Sequence, residues 1–306
     1  MVIIRHVAAA LLVILGVSLA VFVLTHVIPG DPVEVMLGER ASTADRAALA
    51  KAYGLDRPLT AQMVDYYQGL LKLDLGESLF QHRPVVELIS ERLAATVELA
   101  GAAMAVALVV ALVLGLVSAW YARTWVDQGA RVLSLLGVSI PNFWLGPLLI
   151  LFGSVYLGWF PVSGRDGLSS LVLPAITLGT ALAAIVARML RNSLLEIAEA
   201  DFVRTARAKG LGEWTILWRH SLRNALLPVV TLVGLQIGAI LGGAVIVETV
   251  FSWPGIGRLT VEAIQSRDYP LVQGCVLLIA TIYVLVNLLT DVVYGLIDPR
   301  IRLAGS

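Results

Sequence analysis

The sequence contains a single cysteine, Cys275, among 306 residues, so no disulfide can form within the chain. It has no G-x-x-x-x-G-K-[ST] loop, which excludes ATP binding through that motif, and it has neither H-E-x-x-H nor C-x-x-C. Its four histidines are scattered along the chain, whereas the ligands of a metal site must converge. We therefore expect no catalytic residue, no bound metal and no cofactor in this chain.

Charge is also scarce, because Lys, Arg, Asp and Glu make up 14% of the residues and apolar residues 58%. Six runs with little or no charge each supply the roughly 20 apolar residues that cross a ~30 Å hydrocarbon core. These runs are residues 7–28, 99–122, 132–164, 168–187, 225–247 and 271–290. They predict an all-α integral membrane protein with six transmembrane helices, the third of which is kinked at Pro141 and Pro147.

The basic residues of the short connections predict the orientation. With an even number of spans both termini lie on one side, and the short segments on that side carry twelve Lys and Arg residues. The opposite short segments carry three, Arg165, Arg258 and Arg267. By the positive-inside rule, we expect both termini and the loop 189–224 to face the cytoplasm.

The spans divide the chain into segments, one of which is a helical insertion outside the cytoplasm. The segments are a cytoplasmic tip with the first span (1–28), an extracytoplasmic segment (29–92), a five-helix core that includes the loop 189–224 (93–298) and a cytoplasmic tail (299–306). In the insertion, Ser42 and Thr43 predict a helix start and Gly54 its end. Apolar residues at helical spacing after Pro58 predict a second helix.

Four acidic residues lie in or beside the predicted spans: Glu98, Glu248, Asp291 and Asp298. Ionisable groups in a membrane are costly, so each is a functional hypothesis by default. Three of them can be placed near a membrane interface, whereas Glu248 lies beside the segment TVFSWPGIGR. Two interpretations stay open for Glu248: structural pairing near the interface, or lining of a transport pathway.

A basic segment, DFVRTARAKGLGEWTILWRH, separates two apolar runs; we call residues 201–220 the basic elbow. Gly210 and Gly212 divide it between predicted helices at 196–209 and 213–226. A loop that anchors the span ends would explain the charges, but not the apolar side chains that we expect to be exposed. Those apolar side chains are Leu211, Trp214, Ile216 and Leu217. We therefore favour a docking surface for a partner protein.

The basic elbow resembles the EAA loop of the permease subunits of bacterial ABC importers. The general pattern of that loop is E-A-A, three residues, Gly, nine residues and I-x-L-P. This chain keeps Ala206, Gly210 and Leu222, but has Arg204, His220 and Arg223 in place of the Glu, Ile and Pro. The departures are similar to the peptide/nickel branch, which has RTARAKG and RNALLP. The strings PGDP, YGLDRPL, GVSIPNFWLG, GGAVIVETVFSWPGIGR, RDYP and DPRIR also resemble that branch, so the resemblance covers essentially the whole chain.

The resemblance implies the MetI-like fold of a type I ABC importer permease in a bacterial inner membrane. It implies the first of the two permeases in importers of dipeptides, oligopeptides, glutathione or nickel. The implied partners are a second, homologous permease in a heterodimer, two cytoplasmic ATPase subunits that bind ATP and magnesium, an external substrate-binding protein and membrane lipid, but no nucleic acid. Such a chain would be a transporter subunit and not an enzyme.

Two sets of residues follow as candidate sites. We expect the ATPase to contact Arg204, Thr205, Ala206, Arg207, Ala208, Lys209, Gly210 and Leu211, with the two arginines as an electrostatic rim. A second set, the gate candidates, would shape the outer gate or line the pathway. The gate candidates are Glu248, Trp253, Pro254, Gly255 and Arg258.

The function that these patterns favour is import of peptide-like solutes by alternating access. An importer of glutathione, nickel or a metal chelate from the same family stays open. An ion-coupled secondary transporter would need paired ionisable residues near the membrane midplane and an internal repeat, neither of which is visible. A membrane enzyme is disfavoured because no nucleophile–base pair is present.

Overall fold

The computed structural model describes residues 2–27, 32–38 and 42–297, and within these residues the chain is helical, with no named β-strand. The predicted tail at 299–306 and Asp298 lie outside the described residues. The helices are α1 (Val2–Val27), α2 (Pro32–Leu37), α3 (Thr43–Ala52), α4 (Leu59–Leu71), α5 (Val85–Trp120), α6 (Trp125–Ser139), α7 (Asn142–Leu149), α8 (Leu168–Ala198), α9 (Asp201–Ala208), α10 (Glu213–Thr215), α11 (Leu222–Val250), α12 (Ile256–Ser266) and α13 (Tyr269–Ile297).

Five described helices are long and apolar enough to cross a membrane, and a bent pair brings the number to six. The bent pair replaces the expected third span, since Trp125–Ser139 and Asn142–Tyr156 meet at 106°. The break falls at Ile140, which is extended (φ −84°, ψ 117°) because a residue before proline is disfavoured in the α region. The predicted kink at Pro141 is therefore a full break, while Pro147 is accommodated inside α7.

The described chain forms two compact units, one of which combines residues 1–96 with residues 254–285. Both helices predicted in the insertion are present in this unit as α3 and α4. The Ser42 side chain accepts a hydrogen bond from the Asp45 N–H, which confirms the predicted helix start. The insertion shares this unit with α12 and the first part of α13, so it does not form a compact body by itself.

A buried carboxylate ties the insertion to the start of α13. Asp268 is 1% exposed and accepts a hydrogen bond from the Ser78 hydroxyl. Its Oδ1 also accepts from the N–H groups of Leu79 at 3.2 Å and Leu271 at 3.3 Å. The same acid thus satisfies an otherwise unpaired N–H in the first turn of α13 and fixes the loop that precedes α5.

Within the described residues, the second unit combines residues 97–253 with residues 286–297, and α8 is its central helix. α6, α7 and α11 all pack against α8, which has fifteen buried residues along its 31-residue length. α8 also approaches α5 so closely that a Cβ at Gly179 would lie 2.6 Å from the Ala103 carbonyl oxygen. Only glycine allows this backbone-to-backbone contact.

A second buried carboxylate, Asp127 on α6, joins three elements of this unit. Its side chain is 1% exposed and accepts two hydrogen bonds of 2.8 Å from the Arg191 guanidinium on α8. It accepts two more, from the Ser118 hydroxyl on α5 at 2.6 Å and from the Arg123 N–H at 3.0 Å. A buried ion pair is tolerated only when hydrogen bonds satisfy its remaining atoms, as they do here.

We predict that Asp127→Leu lowers the free energy of unfolding of the purified chain by about 3 kcal/mol, because Arg191 keeps its largely buried charge without its carboxylate partner. The thermal unfolding temperature should fall accordingly. Arg191→Leu should cost less, because Asp127 keeps the Ser118 hydroxyl, the Arg123 N–H and an ion pair with Arg131 at 3.5 Å. The double variant should recover much of the loss, because it leaves neither charge buried alone. The measurement is fluorescence-detected unfolding in detergent, and additive losses in the double variant would contradict this assignment.

Candidate functional site

The chain bends twice here, once just before the basic elbow and once within it. α8 ends at Ala198, and Ala200 is extended (φ −68°, ψ 148°) before α9 begins. α9 ends in a turn that contains Gly210 at φ +79°, and the next helix begins at Glu213. The single helix predicted over 196–209 is therefore wrong, because the chain breaks at residues 199–200 to fold α9 against its neighbours.

A small apolar cluster holds this fold together. Val203 and Ala206 on α9 pack against Ile216, with Ile197 at the end of α8 at their edge. Val203 is fully buried and Ile216 is 2% exposed, so the expectation that Ile216 is exposed is wrong. Burying one such branched side chain contributes about 1.5–3 kcal/mol, which makes the cluster the main stabilising contact of the elbow.

An ion pair closes the elbow across its glycine turn. Arg207 Nε donates to Glu213 Oε1 at 2.7 Å and its Nη2 donates to Oε2 at 3.2 Å, while Nη1 donates to the Ala198 carbonyl at 3.2 Å. Hydrogen bonding to Glu213 raises the pKa of Arg207, because it favours the charged guanidinium. Since both side chains are about half exposed, the pair contributes at most about 1 kcal/mol and mainly orients the turn.

The outward side of α9 is a stripe of exposed residues spaced by three and four positions. The stripe consists of Asp201, Arg204, Thr205 and Ala208, and exposure continues through Lys209, Gly210 and Leu211. Seven of the eight expected ATPase contacts are therefore accessible in this chain. The exception, Ala206, is 6% exposed in the apolar cluster, and Arg207 is engaged by Glu213 in addition to being exposed.

Three tryptophans lie together where the basic elbow meets the end of α5. Trp214 meets Trp120 edge-on with ring centroids 5.6 Å apart, and meets Trp218 at 5.7 Å. All three rings are exposed, at 63%, 44% and 43% for Trp214, Trp120 and Trp218 respectively. Exposed tryptophans at helix ends are typical of the membrane–water interface.

Two of the gate candidates lie in the unit built around α8. Glu248 and Trp253 are fully buried, and the Trp253 N–H donates to the Glu248 carbonyl at 2.8 Å. The Arg165 guanidinium lies 5.9 Å above the Trp253 ring and forms an ion pair with Glu98 at 2.6 Å. Sequence reasoning placed Glu98 near an interface but missed this contact. The available signal was Arg165 itself, one of the three basic residues in the short segments predicted to lie outside the cytoplasm.

The other gate candidates lie in the unit that contains the insertion. Gly255 is buried and precedes α12, whose first N–H, that of Ile256, donates to the Thr96 hydroxyl at 2.8 Å. Arg258 pairs with Glu262 one turn later at 2.7 Å, and Pro254 is half-buried. The boundary between the two compact units thus passes through the gate candidates, between Trp253 and Pro254.

The sequence matches a known family over most of its length. Residues 111–303 match the family described as binding-protein-dependent transport system inner membrane component, and residues 1–100 match the N-terminal family of the same proteins. The chain belongs to this family. It is a multi-pass inner-membrane permease of an ABC importer, a transport subunit rather than an enzyme, and such permeases work with ATPase subunits and a binding protein.

Named relatives agree over nearly the full length. The di/tripeptide transport system permease protein of Pseudomonas aeruginosa is 45% identical, over 94% of each chain. The dipeptide permease of Alkalihalophilus pseudofirmus is 42% identical over 95% of this chain and 96% of the relative. The glutathione permease of Pectobacterium atrosepticum is 43% identical over 94% of each. Family membership removes the secondary transporter and the membrane enzyme from the alternatives.

Solved structures support the fold. The inward-facing MetNI methionine ABC transporter matches with a TM-score of 0.57 and 19% identity, over 69% of this permease and 96% of the solved chain. The predicted MetI-like fold is therefore confirmed. At this identity the likeness shows the fold alone.

We predict that Gly210→Val loosens the elbow, because a left-handed conformation costs a branched residue about 1–2 kcal/mol. Amide hydrogen exchange around residues 204–216 should become faster, most clearly at the Leu211 N–H, which donates to the Ala206 carbonyl at 3.2 Å. Gly212→Val is the matched control, since Gly212 has φ −67° and ψ 147° and open space around it. Equal exchange in the two variants would contradict the role of the Gly210 turn.

Proposed function

We propose that this permease forms half of the pathway of a di- or tripeptide importer and that ATP hydrolysis in a partner subunit moves it through the basic elbow. The observation that carries the coupling role is the exposed stripe of α9, which stands on the buried cluster of Val203, Ala206 and Ile216. A short helix that is packed on one side and exposed on the other can transmit a rigid-body movement from a partner that binds its exposed side.

The energy that this movement requires favours an apolar seat over charge alone. Shifting a two-state pore from 1:99 to 99:1 needs about 5.5 kcal/mol of differential interaction. An exposed ion pair such as Arg204–Asp201, at 3.6 Å, contributes about 0–1 kcal/mol. The exposed apolar residues Ala208, Leu211 and Phe202 can supply more by entering a cleft of the ATPase, while the arginines orient the docking.

Membership of the family supports the remaining partners. We infer a second, homologous permease that completes the pore as a heterodimer, and two ATPase subunits that carry ATP and magnesium. Both termini and the basic elbow would face the cytoplasm, because the basic residues of the short connections concentrate on that side. The gate candidates would then lie on the opposite side, toward the binding protein.

Cysteine cross-linking tests the docking stripe. In the assembled importer, Ala208→Cys should cross-link to an ATPase subunit through a short reagent with one thiol-reactive and one photoreactive end, and the ATPase should protect this cysteine from labelling. Ala206→Cys, two residues away on the buried side of α9, should do neither. Native Cys275 is fully buried, so background labelling is low. Equal labelling of Ala208→Cys with and without the ATPase subunits would refute the docking model.

The substrate is tested on the cognate binding protein. We expect this protein to bind a dipeptide such as alanyl-phenylalanine more tightly than glutathione or Ni²⁺, because two of the relatives named above are peptide permeases. Titration calorimetry with the three ligands, followed by uptake into proteoliposomes that contain the whole importer, measures this order. Tighter binding and uptake of glutathione or Ni²⁺ would move the permease to the other substrate.

A further inference from the structure

Two leucines at the end of α4 are almost fully exposed. Leu71 is the last residue of the helix and is 87% exposed, and Leu73, in the turn that follows, is 86% exposed. Lys72 between them is exposed as well, and we call residues 71–73 the leucine tip. Single exposed apolar side chains are common on proteins, whereas a group of them at this exposure marks a surface that contacts something other than water.

The backbone of the leucine tip is fixed in an unusual conformation. Leu73 has φ +59°, in the left-handed region that disfavours residues with a Cβ. Its N–H donates to the Leu70 carbonyl at 3.1 Å, and the Asp74 N–H donates to the Gly69 carbonyl at 2.9 Å. A Cβ at Gly69 would lie 2.8 Å from the Asp74 carbonyl oxygen, so the turn closes this tightly because residue 69 is glycine. Left-handed residues of this kind cluster at functional sites, and leucine stands here although glycine or asparagine would fit more easily.

Two contacts within the same compact unit give the course of α4 along the first span, Ala8–Val27. The Gln62 side-chain oxygen lies 3.1 Å from His26 Nε2, and the Tyr67 hydroxyl lies 3.2 Å from the Ser18 hydroxyl. At ~1.5 Å per residue, these contacts move about 12 Å along α1 between the first and the second. α4 thus runs from the end of the span back toward its middle, and the leucine tip lies one turn further in that direction.

The exposed side of α4 becomes apolar along this course. Thr60, Val64 and Leu71 are all exposed and, at spacings of four and seven residues, lie on one side of the helix. Beside the end of the span this side also carries Asp65, which pairs with Arg57 and is about half exposed. At the opposite end of α4 the most exposed residues are the two leucines of the tip. The apolar end of the helix is therefore the end that is nearer to the middle of the span.

The side chains around the leucine tip fit the boundary between lipid headgroups and acyl chains. Gln68 and Asp74, on either side of the tip, are exposed and polar. Lys72 can extend its ammonium group toward a phosphate while its methylene chain lies beside the leucines. An element at this boundary presents apolar groups to the acyl chains and polar groups to the headgroups. The part of α1 that α4 reaches already has an exposed apolar surface, since Leu15 and Leu19 are 57% and 45% exposed.

We propose that the leucine tip is a lipid anchor, with Leu71 and Leu73 inserted at the acyl boundary of the leaflet on the side of the insertion and Lys72 at a phosphate headgroup. The insertion then lies partly in the membrane, and the anchor fixes its height. Leu75, which follows the tip, packs against the buried core of the same unit and connects the anchor to it. The anchor uses none of the coupling residues or gate candidates, and it does not depend on the transported substrate.

Fluorescence quenching in the assembled importer in nanodiscs tests the anchor. Leu71→Cys and, as the matched control on the same side of the same helix, Thr60→Cys are each labelled with bimane, and native Cys275 is fully buried. Phospholipids brominated on the upper part of the acyl chain should quench the label at position 71 several-fold more than the label at position 60. Aqueous iodide should show the opposite order. Equal iodide quenching at the two positions overturns the anchor, and so does a label at position 71 that neither quencher reaches, because a protein partner then covers the tip.

A second variant separates the lipid contact from folding. Leu73→Asn should unfold in detergent at the same temperature as wild type or higher, because asparagine adopts the left-handed conformation more readily than leucine. In nanodiscs, the same substitution combined with the label at position 71 should lower the quenching by brominated lipid and raise the quenching by iodide. Unchanged quenching in this variant overturns the insertion of Leu73. Neither measurement involves peptide or ATP, so a wrong substrate or a wrong docking model leaves both results unaffected.

Discussion

Inside a membrane no water is available to an open peptide group, and the architecture of this permease follows from that constraint. A helix satisfies its backbone internally, so the described chain consists of helices joined by short connections. Helix ends and breaks are then the places where other groups must complete the hydrogen bonds. The structure does this with buried side chains, as Asp268 does for the first turn of α13 and Asp127 for the turn before α6.

These two carboxylates have similar surroundings. Each is 1% exposed and accepts hydrogen bonds from groups that lie both near and far in the sequence. Asp268 reaches back 190 residues to Ser78, and Asp127 reaches forward 64 residues to Arg191. In a low-dielectric interior an acid is stable only with such a set of donors, so each contact also fixes the relative position of the elements that supply them.

The basic elbow shows how charge and apolar packing divide their roles. Its positive charges are the most visible feature of the sequence, yet the ion pair that closes it is exposed and weak, and the hidden cluster around Val203 and Ile216 holds its shape. Packing on one side of α9 leaves the opposite side free. The same residues that make the elbow rigid therefore determine which residues a partner can reach.

The lengths of the hydrophobic runs predicted the helical class and the spans, whereas cap residues and helical spacing predicted the helices of the insertion. All of these depend on local composition and period. The motif strings identified the family, since their spacing is a property of the sequence itself. The full break at Ile140, the second bend at Ala200, the burial of Ile216 and the Glu98–Arg165 pair came only from the tertiary structure. Pro141 marks the position of the first of these locally, but the size of that bend and the other three features depend on which distant side chains fill a given space. A linear pattern carries a residue's polarity and period but not the identity of its neighbours in space.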